Sequence, residues 1–298
     1  MNVFERAVLS ALPAIPRPLM RRLSARYIAG ETIEEALAKL TQLQERGFPG
    51  VLDILGEDVA DEAEAREVLR TYQAAATAAS ERGLDSYVSI KPTHFGLRIS
   101  RDLCEELYGQ LLEHCAEIGV FARVEMEDHS TTDDTLAIFH SLRARYDNVG
   151  IVLQSRLFRT ADDVASLPEQ CDVRMVKGIY LEPAEIAHTT PEPIRQAFID
   201  LTDTLLRAGH TVAAATHDAA MADAVLERQQ AAGIPDERIY FEVLLGVQEP
   251  LWERLKQRGK TVRAYVPYGP EWRAYSQRRL RKNPEILRHL IKATLRLS

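Results

Sequence analysis

Short apolar runs alternate with helical segments along most of the chain. The helical pattern TIEEALAKLTQLQERGF opens on Thr32, a favoured N-cap residue, and ends at Gly47, a favoured residue just past a helix. The strand-like run GVLDIL follows it. The later strand-like runs are SYVSIKP, FARVEMED, GIVLQ, CDVRMVKG, TVAAATH, RIYFEVLL and VRAYVP, each separated from the next by a helical pattern. This alternation is typical of a parallel sheet with crossover helices.

The number of units predicts the architecture. Eight strand–helix units within about 250 residues match an α/β fold of the closed (β/α)₈ TIM-barrel type. No GxGxxG turn follows the first strand, as a doubly wound dinucleotide-binding sheet would favour. We expect residues 31–298 to form the barrel with its C-terminal helices, and residues 1–30 to form an N-terminal helical extension. This proline-broken, basic and apolar extension is read as a lid, a membrane-surface contact or, the favoured alternative, a helix packed on the body.

Composition narrows the class of protein. The net charge is -7, which argues against nucleic acid as the main partner because phosphate binding needs a basic surface. The 3 cysteines include no CxxC pair, so neither a disulfide framework nor a metal site is expected. No apolar run is long enough to span a bilayer and no secretory signal is present, so a cytoplasmic location is expected.

Polar residues collect where the predicted strands end. In a (β/α)₈ barrel the active site is built at the C-terminal ends of the strands and in the loops that follow. The polar residues at these positions are Asp53, Glu57, Lys91, Thr93, His94, Glu125, Glu127, Asp128, Gln154, Arg174, Lys177, Thr216, His217, Glu242 and Tyr265. Few of them suit an apolar core, so a site is expected at this end.

Several of these residues have a chemical reading of their own. Lys91 ends an apolar strand, where it would pair a carboxylate, form a Schiff base or extend to solvent, and Glu125 is its expected counter-ion. Arg174 points into the barrel and needs a carboxylate or an anionic cofactor as partner. Gly178 would let a flat ligand approach the backbone. The isolated His217 is either a ligand contact or a structural histidine.

The helix after the last strand carries a basic face. Tyr275, Arg278, Arg279 and Lys282 follow at i, i+3, i+4 and i+7. Two neighbouring arginines on a rigid element suit forked capture of a small carboxylate. The alternative is a solvated basic face near the helix C-terminus.

From Ala29 to Pro284 the chain resembles the monofunctional proline dehydrogenases. The resemblance is strongest in YVPYGPEWRAYSQRRL. It continues in RMVKGIY, ATHD, VLQSRLFRT, FEVLLGV, VSIKPTHFG and VEMED, which occur in the family's order. It implies a distorted (β/α)₈ barrel that binds FAD and oxidises proline.

The resemblance also implies a substrate site. Arg278, Arg279 and Lys91 would hold the carboxylate of L-proline. The residues that would pack against its ring are Tyr265, Tyr275 and Leu244. The bulky Tyr275 fits proline better than 4-hydroxyproline.

The implied catalytic and flavin-binding residues come from other strands. Glu125 and Arg174 would be catalytic, with Arg174 beside the isoalloxazine ring. The rest of the FAD site would comprise Met126, Gln154, Val176, Lys177, Gly178, Ile179, Thr216 and His217. Two positions depart from the family pattern: Glu125 stands where aspartate is usual, and Lys282 where glutamate is usual.

The implied reaction is the oxidation of L-proline to 1-pyrroline-5-carboxylate. Reduced FAD would pass electrons to a quinone, which implies peripheral contact of a cytoplasmic protein with the inner membrane. A separate pyrroline-5-carboxylate dehydrogenase would take the product. The alternatives are a related flavin barrel for hydroxyproline or another secondary amine, a flavin-free Schiff-base aldolase using Lys91 or Lys177, and a non-catalytic binding barrel.

Overall fold

Parallel strands close into a barrel in the order in which they occur along the chain. The strands are β1 (Gly50–Ile54), β2 (Ser86–Ile90), β3 (Ala122–Val124), β4 (Val149–Gln154), β5 (Asp172–Val176), β6 (Thr211–Ala215), β7 (Ile239–Leu244) and β8 (Val262–Tyr268). The structure, a computed structural model, describes residues 16–282, without the side chains of residues 19, 23 and 278–282. Because β1 pairs with both β2 and β8, the sheet has no free edge, and the predicted barrel is confirmed.

Helices surround the barrel and connect its strands. They are α1 (Arg17–Ser24), α2 (Ile33–Glu45), α3 (Glu62–Glu81), α4 (Arg101–Glu117), α5 (Thr132–Arg143), α6 (Thr160–Ser166), α7 (Pro191–Arg207), α8 (Ala219–Ala231), α9 (Glu249–Gln257) and α10 (Trp272–Lys282). Helix α2 begins at Thr32, whose hydroxyl accepts the Glu35 amide while the Glu35 carboxylate accepts the Thr32 amide. This reciprocal capping box confirms the predicted helix start.

The two faces of the strands differ in polarity. In β2, Val88 and Ile90 belong to the apolar layer between sheet and helices, whereas Tyr87 and Ser89 alternate with them and face the interior. The outer layer stabilises the fold by the hydrophobic effect, at about 25 cal/mol for each Å² of apolar surface that is buried. The interior instead carries polar and charged side chains, so the barrel axis is where the chemistry lies.

The N-terminal segment is fastened to the body. Met20 of α1 is buried, and Arg21 pairs with Glu35 of α2 at 2.5 Å. The backbone amide of Ala29 donates to the Pro267 carbonyl of β8 at 2.9 Å. Residues 16–30 therefore pack on the barrel, as the favoured alternative predicted. Residues 1–15 lie outside the described residues, and the division at residue 30 stays a prediction.

The structure moves one predicted boundary. Strand β8 extends one residue beyond the predicted run VRAYVP, because Tyr268 still pairs with Ile54 of β1 and its carbonyl accepts the Leu55 amide at 2.8 Å. The next helix, α10, begins at Trp272.

Candidate active site

Arg174 lies at the centre of the barrel's C-terminal end. From β5 it crosses the interior and donates to groups on other strands. Nη1 reaches Glu125 Oε1 at 2.5 Å and Ser89 Oγ at 3.3 Å, Nη2 reaches the Tyr87 hydroxyl at 3.0 Å, and Nε bonds the Glu242 carboxylate. The predicted pairing of an inward arginine with carboxylates is confirmed.

Glu125 is the acceptor on which several of these groups converge. Its Oε1 also accepts from the Ser89 hydroxyl at 2.6 Å and from the Tyr265 hydroxyl at 3.0 Å. Burial alone would raise the pKa of Glu125, but the Arg174 guanidinium and the Ser89 bond outweigh it, so that pKa lies below its usual value. The Tyr265 ring lies 5.1 Å from the Arg174 guanidinium carbon, within reach of a cation–π contact. Glu125 and Arg174 therefore form a buried ion pair, which Tyr265 joins through its neutral hydroxyl.

Lys91 lies beside this cluster with a different partner from the one predicted. Its ammonium is 4.0 Å from Asp53 Oδ1 and donates to the Gly56 carbonyl at 3.3 Å. The expectation that Glu125 pairs directly with Lys91 is wrong, because Glu125 is held by Arg174, Ser89 and Tyr265. Burial opposes the charge on Lys91, but Asp53 and the nearby glutamates outweigh it, so the pKa of Lys91 is raised. Lys91 is a cation at neutral pH.

A second group of predicted residues lies along β4 and β5. Gln154 is opposite Val176 in the sheet register, and residues 176–178 run beside the β4 end. The Gln154 amide nitrogen donates to the Glu127 carbonyl at 2.6 Å, but its buried Oε1 has no partner among the described residues. Gly178 has φ 93°, and a Cβ there would come within 2.6 Å of Gln154 Oε1. Glycine therefore keeps the space in front of this oxygen clear.

The other predicted flavin contacts have different degrees of exposure. Met126 is buried, whereas Lys177 and Ile179 are exposed on the loop after β5. The Thr216 hydroxyl is buried and accepts the Asp218 amide at 3.1 Å, so it shapes the turn that leads into α8. These residues frame the same end of the barrel as Arg174.

His217 joins the ends of β6 and β7. Its Nε2 accepts the Leu244 backbone amide at 2.8 Å. This bond fixes the ring orientation and brings His217 and Leu244 together, while their predicted roles at the flavin and the substrate stay predictions. It requires an unprotonated Nε2.

The predicted carboxylate clamp lies partly outside the description. Tyr275 is half-buried on α10, which follows β8 directly. The side chains of Arg278, Arg279 and Lys282 lie outside the described residues, although the backbone at these positions belongs to α10. Their predicted roles stay predictions.

Several contacting residues had no predicted role. Tyr87 and Ser89 were missed, and Asp53 and Glu242 were noted only for their positions at strand ends. A signal was present: Tyr87, Ser89 and Lys91 alternate along SYVSIK and so share the inward face. Among residues 16–282, no group of three or more His, Cys, Asp or Glu side chains is arranged to hold a metal ion.

Comparison with known proteins agrees with this geometry. The family model described as proline dehydrogenase matches residues 36–289. The chain is 33% identical to a proline dehydrogenase of Deinococcus radiodurans over 99% of both chains. It is 32% identical to proline dehydrogenase 1 of Bacillus subtilis over 92% of both.

A solved structure supports the fold. The chain is similar to proline utilization A from Bdellovibrio bacteriovorus inactivated by N-propargylglycine, with a TM-score of 0.81 and 25% identity over 87% of this chain. This chain spans 32% of the length of that protein.

Proposed function

This chain belongs to the proline dehydrogenase family, and from that premise we propose that it oxidises L-proline to 1-pyrroline-5-carboxylate with bound FAD. It is accordingly an oxidoreductase of proline catabolism. The observation that carries the finer proposal is the convergence of Lys91, Glu125, Arg174 and Tyr265 at one end of the barrel. The Lys91 ammonium suits an amino acid carboxylate, and the tyrosine suits a small apolar ring.

The residues at this end fit a flavin. Gln154 Oε1 is a buried acceptor without a described partner, and a flavin ring carries an N–H that can donate to such an oxygen. Gly178 leaves the adjacent backbone open to a flat ring. FAD, when bound, supplies an acceptor for the hydride and electrons of the oxidation. Arg174, with Gln154 and residues 176–179, would hold it.

The protein's own groups would orient the substrate. In the proposed site Lys91, Arg278 and Arg279 bind the proline carboxylate, and Tyr265, Tyr275 and Leu244 confine the ring. The Glu125 carboxylate is ionised and bonded to Arg174, so it keeps that guanidinium in place. A fixed carboxylate and a confined ring place the reacting carbon in one geometry, and orientation of this kind is worth several kcal/mol.

A Schiff base at Lys91 is disfavoured by the charge on that lysine. A lysine that forms a Schiff base needs its pKa lowered so that the free amine is available near neutral pH. The carboxylate of Asp53 and the nearby glutamates raise the pKa of Lys91 instead. Hydroxyproline remains the second candidate substrate, and we propose that Tyr275 disfavours it.

We propose further that a quinone accepts the electrons and that a separate pyrroline-5-carboxylate dehydrogenase consumes the product. Contact with the inner membrane would then be peripheral. None of the helices in residues 16–282 is both long and apolar enough to cross a bilayer.

An absorption spectrum of the purified protein, followed by anaerobic addition of L-proline, tests the central proposal. We expect a flavin spectrum that bleaches with L-proline and much less with trans-4-hydroxy-L-proline. A flavin spectrum that bleaches only with hydroxyproline would transfer the proposal to that substrate. Failure to bind flavin even after added FAD would overturn it.

A variant tests the carboxylate clamp. We expect Arg278→Ala to raise KM for proline and also to lower kcat, because the same contact binds and orients the substrate. Arg273→Ala, on the same helix but outside the proposed clamp, is the matched control. An unchanged kcat in Arg278→Ala would contradict the orienting role.

A further inference from the structure

A second charged cluster lies beneath the candidate active site. Arg123 of β3 is fully buried in the barrel. Its Nε donates to the Tyr87 hydroxyl at 3.0 Å, and Nη1 to the carbonyls of Ile151 at 3.3 Å and Asp172 at 3.2 Å. Nη2 donates to Asp172 Oδ1 and to the Tyr240 hydroxyl, both at 2.7 Å. All of the guanidinium's five N–H groups therefore have acceptors.

Tyr87 connects this cluster to the active site. Its hydroxyl donates to the Glu242 carboxylate and accepts from Arg123 Nε and from Arg174 Nη2, each at 3.0 Å. One donor and two acceptor positions are all that a phenol offers, so the hydroxyl is saturated. Burial raises the pKa of Tyr87 to about 12, so the hydroxyl keeps its proton at working pH. The Tyr87 hydroxyl therefore links Arg123, Arg174 and Glu242 with all of its hydrogen-bonding positions occupied.

The charges alternate in sign along this connection. The C-terminal end of the barrel, which holds the candidate active site, is called the mouth, and the opposite end of the interior the inner end. From the mouth inward the charged residues are Glu125, Arg174, Glu242, Arg123 and Asp172. Glu242 is the shared carboxylate, since it bonds Arg174 Nε and lies 3.9 Å from Arg123 Nη2. Removing a charge from such a buried series leaves its neighbours uncompensated.

These contacts constrain Arg174 from below. Glu242 accepts a hydrogen bond from Nε, and Tyr87 accepts one from Nη2. Glu125 and Ser89 accept from Nη1. Acceptors on all three nitrogens fix the plane of the guanidinium, since its donors form a rigid fork. Two of these acceptors, Glu242 and Tyr87, belong to the connection with the inner cluster.

We propose that Tyr87 and Glu242 are positioning residues. They set the orientation of Arg174 and the net positive charge that its guanidinium and neighbours present at the flavin side of the site. This inference rests on the proposed function. Tyr87 fixes the guanidinium through its hydroxyl, and Glu242 offsets part of its positive charge. Neither residue is assigned a contact with proline, so their loss affects turnover more than substrate binding.

Two tyrosines provide a matched test. Both the Tyr87 and the Tyr240 hydroxyls bond Arg123, but of the two hydroxyls Tyr87 alone bonds Arg174. We expect Tyr87→Phe to lower kcat about tenfold, the value of one hydrogen bond to a charged group, with KM for proline within about twofold. Tyr240→Phe lowers the melting temperature but leaves kcat and KM unchanged. Equal losses of kcat in the two variants, or none in Tyr87→Phe, would overturn the inference.

Glu242→Gln provides a second readout that needs no substrate. The midpoint potential of the bound flavin, measured by dye titration without proline, should become more positive because Arg174 loses part of its compensating charge. This measurement also serves if Tyr87→Phe fails to fold. An unchanged potential would overturn the inference. If proline does not reduce the flavin bound to the wild-type protein, the proposed substrate is overturned instead. Failure of the inference and failure of the proposed function are therefore distinguishable.

Discussion

The two ends of the barrel interior use similar residues differently. At the inner end, every N–H of Arg123 has an acceptor, and Asp172 and Tyr240 bond each other as well as the arginine. At the mouth, Asp53 Oδ1 and Gln154 Oε1 are buried and accept no hydrogen bond from the described residues, although Lys91 lies 4.0 Å from Asp53 Oδ1. Buried polar atoms without hydrogen bonds also occur on the helices, such as Thr202 Oγ1 and Gln229 Oε1, but those at the mouth lie beside the candidate site and suit an end that receives a ligand.

Access to solvent does not separate the two ends, since Asp172 at the inner end is 25% exposed and Lys91 at the mouth is 18% exposed. The completeness of the contacts does separate them. Saturated contacts suit a permanent part of the fold, and incomplete ones suit groups that exchange partners when substrate binds. The comparison therefore assigns stability to the inner cluster and binding to the mouth, and variants at each end can test this division.

The largest expected effect is on stability at the inner end. Arg123→Ala leaves Asp172 without its counter-ion and Glu242 with Arg174 alone, and the free energy of unfolding should fall by about 3–5 kcal/mol. Arg228→Ala removes an exposed pair with Asp200 and should cost no more than about 1 kcal/mol. Urea unfolding at pH 7 measures both. Equal losses in the free energy of unfolding would mean that the inner cluster stabilises the fold no more than an exposed ion pair does.

The next effect is on catalysis at the mouth. Arg174→Lys keeps the positive charge but loses the fork that bonds Glu125, Glu242 and Tyr87 together. We expect kcat to fall about a hundredfold while KM for proline changes far less. Steady-state kinetics at saturating acceptor measure this. A large rise in KM with unchanged kcat would place Arg174 in substrate binding instead.

The sequence predicted the barrel because each strand and helix carries its own local signal. Thr32 and Gly47 mark the limits of one helix, and the strands are distinct apolar runs. The mouth residues were also predictable, since strand ends in this fold meet on one face. Contacts inside the barrel were not, because they join residues such as Tyr87 and Glu242 from strands far apart in sequence.

The partner of Lys91 shows why such contacts escape sequence reasoning. Glu125 and Asp53 are both carboxylates at strand ends, and position alone did not distinguish them. Arg174 decides between them by occupying Glu125, which leaves Asp53 nearest to the lysine. Competition among several charges depends on distances, and these follow only from the closed sheet.

A smaller effect concerns acid stability near the mouth. Burial, and then the charge of Lys91, lowers the pKa of His94 to about 4 from 6.5. The stability that this group contributes is present above pH 6.5 and is lost as the pH falls towards 4. Between pH 7 and pH 5 the loss is about 2 kcal/mol. His94→Gln should therefore lose less stability than the wild type over this interval.

Urea midpoints at pH 7 and pH 5 check this difference. Burial raises the pKa of Glu127 to about 6, which works in the opposite direction, since protonation below pH 6 favours the folded form. Because Glu127 is present in both proteins, the difference between them isolates His94. Equal pH dependence in the two proteins would contradict the assigned shift.

The smallest effect is on substrate affinity. Lys91→Met removes one of three proposed cations for the proline carboxylate, and KM should rise about tenfold, while kcat falls less than in Arg278→Ala because the arginine pair still orients the carboxylate. The pKa of Asp53 should rise further in the variant, because burial already raises it and the Lys91 ammonium that opposes this shift is gone. Lys39→Met on α2 is the control, and equal KM values in the two variants would remove Lys91 from the substrate site.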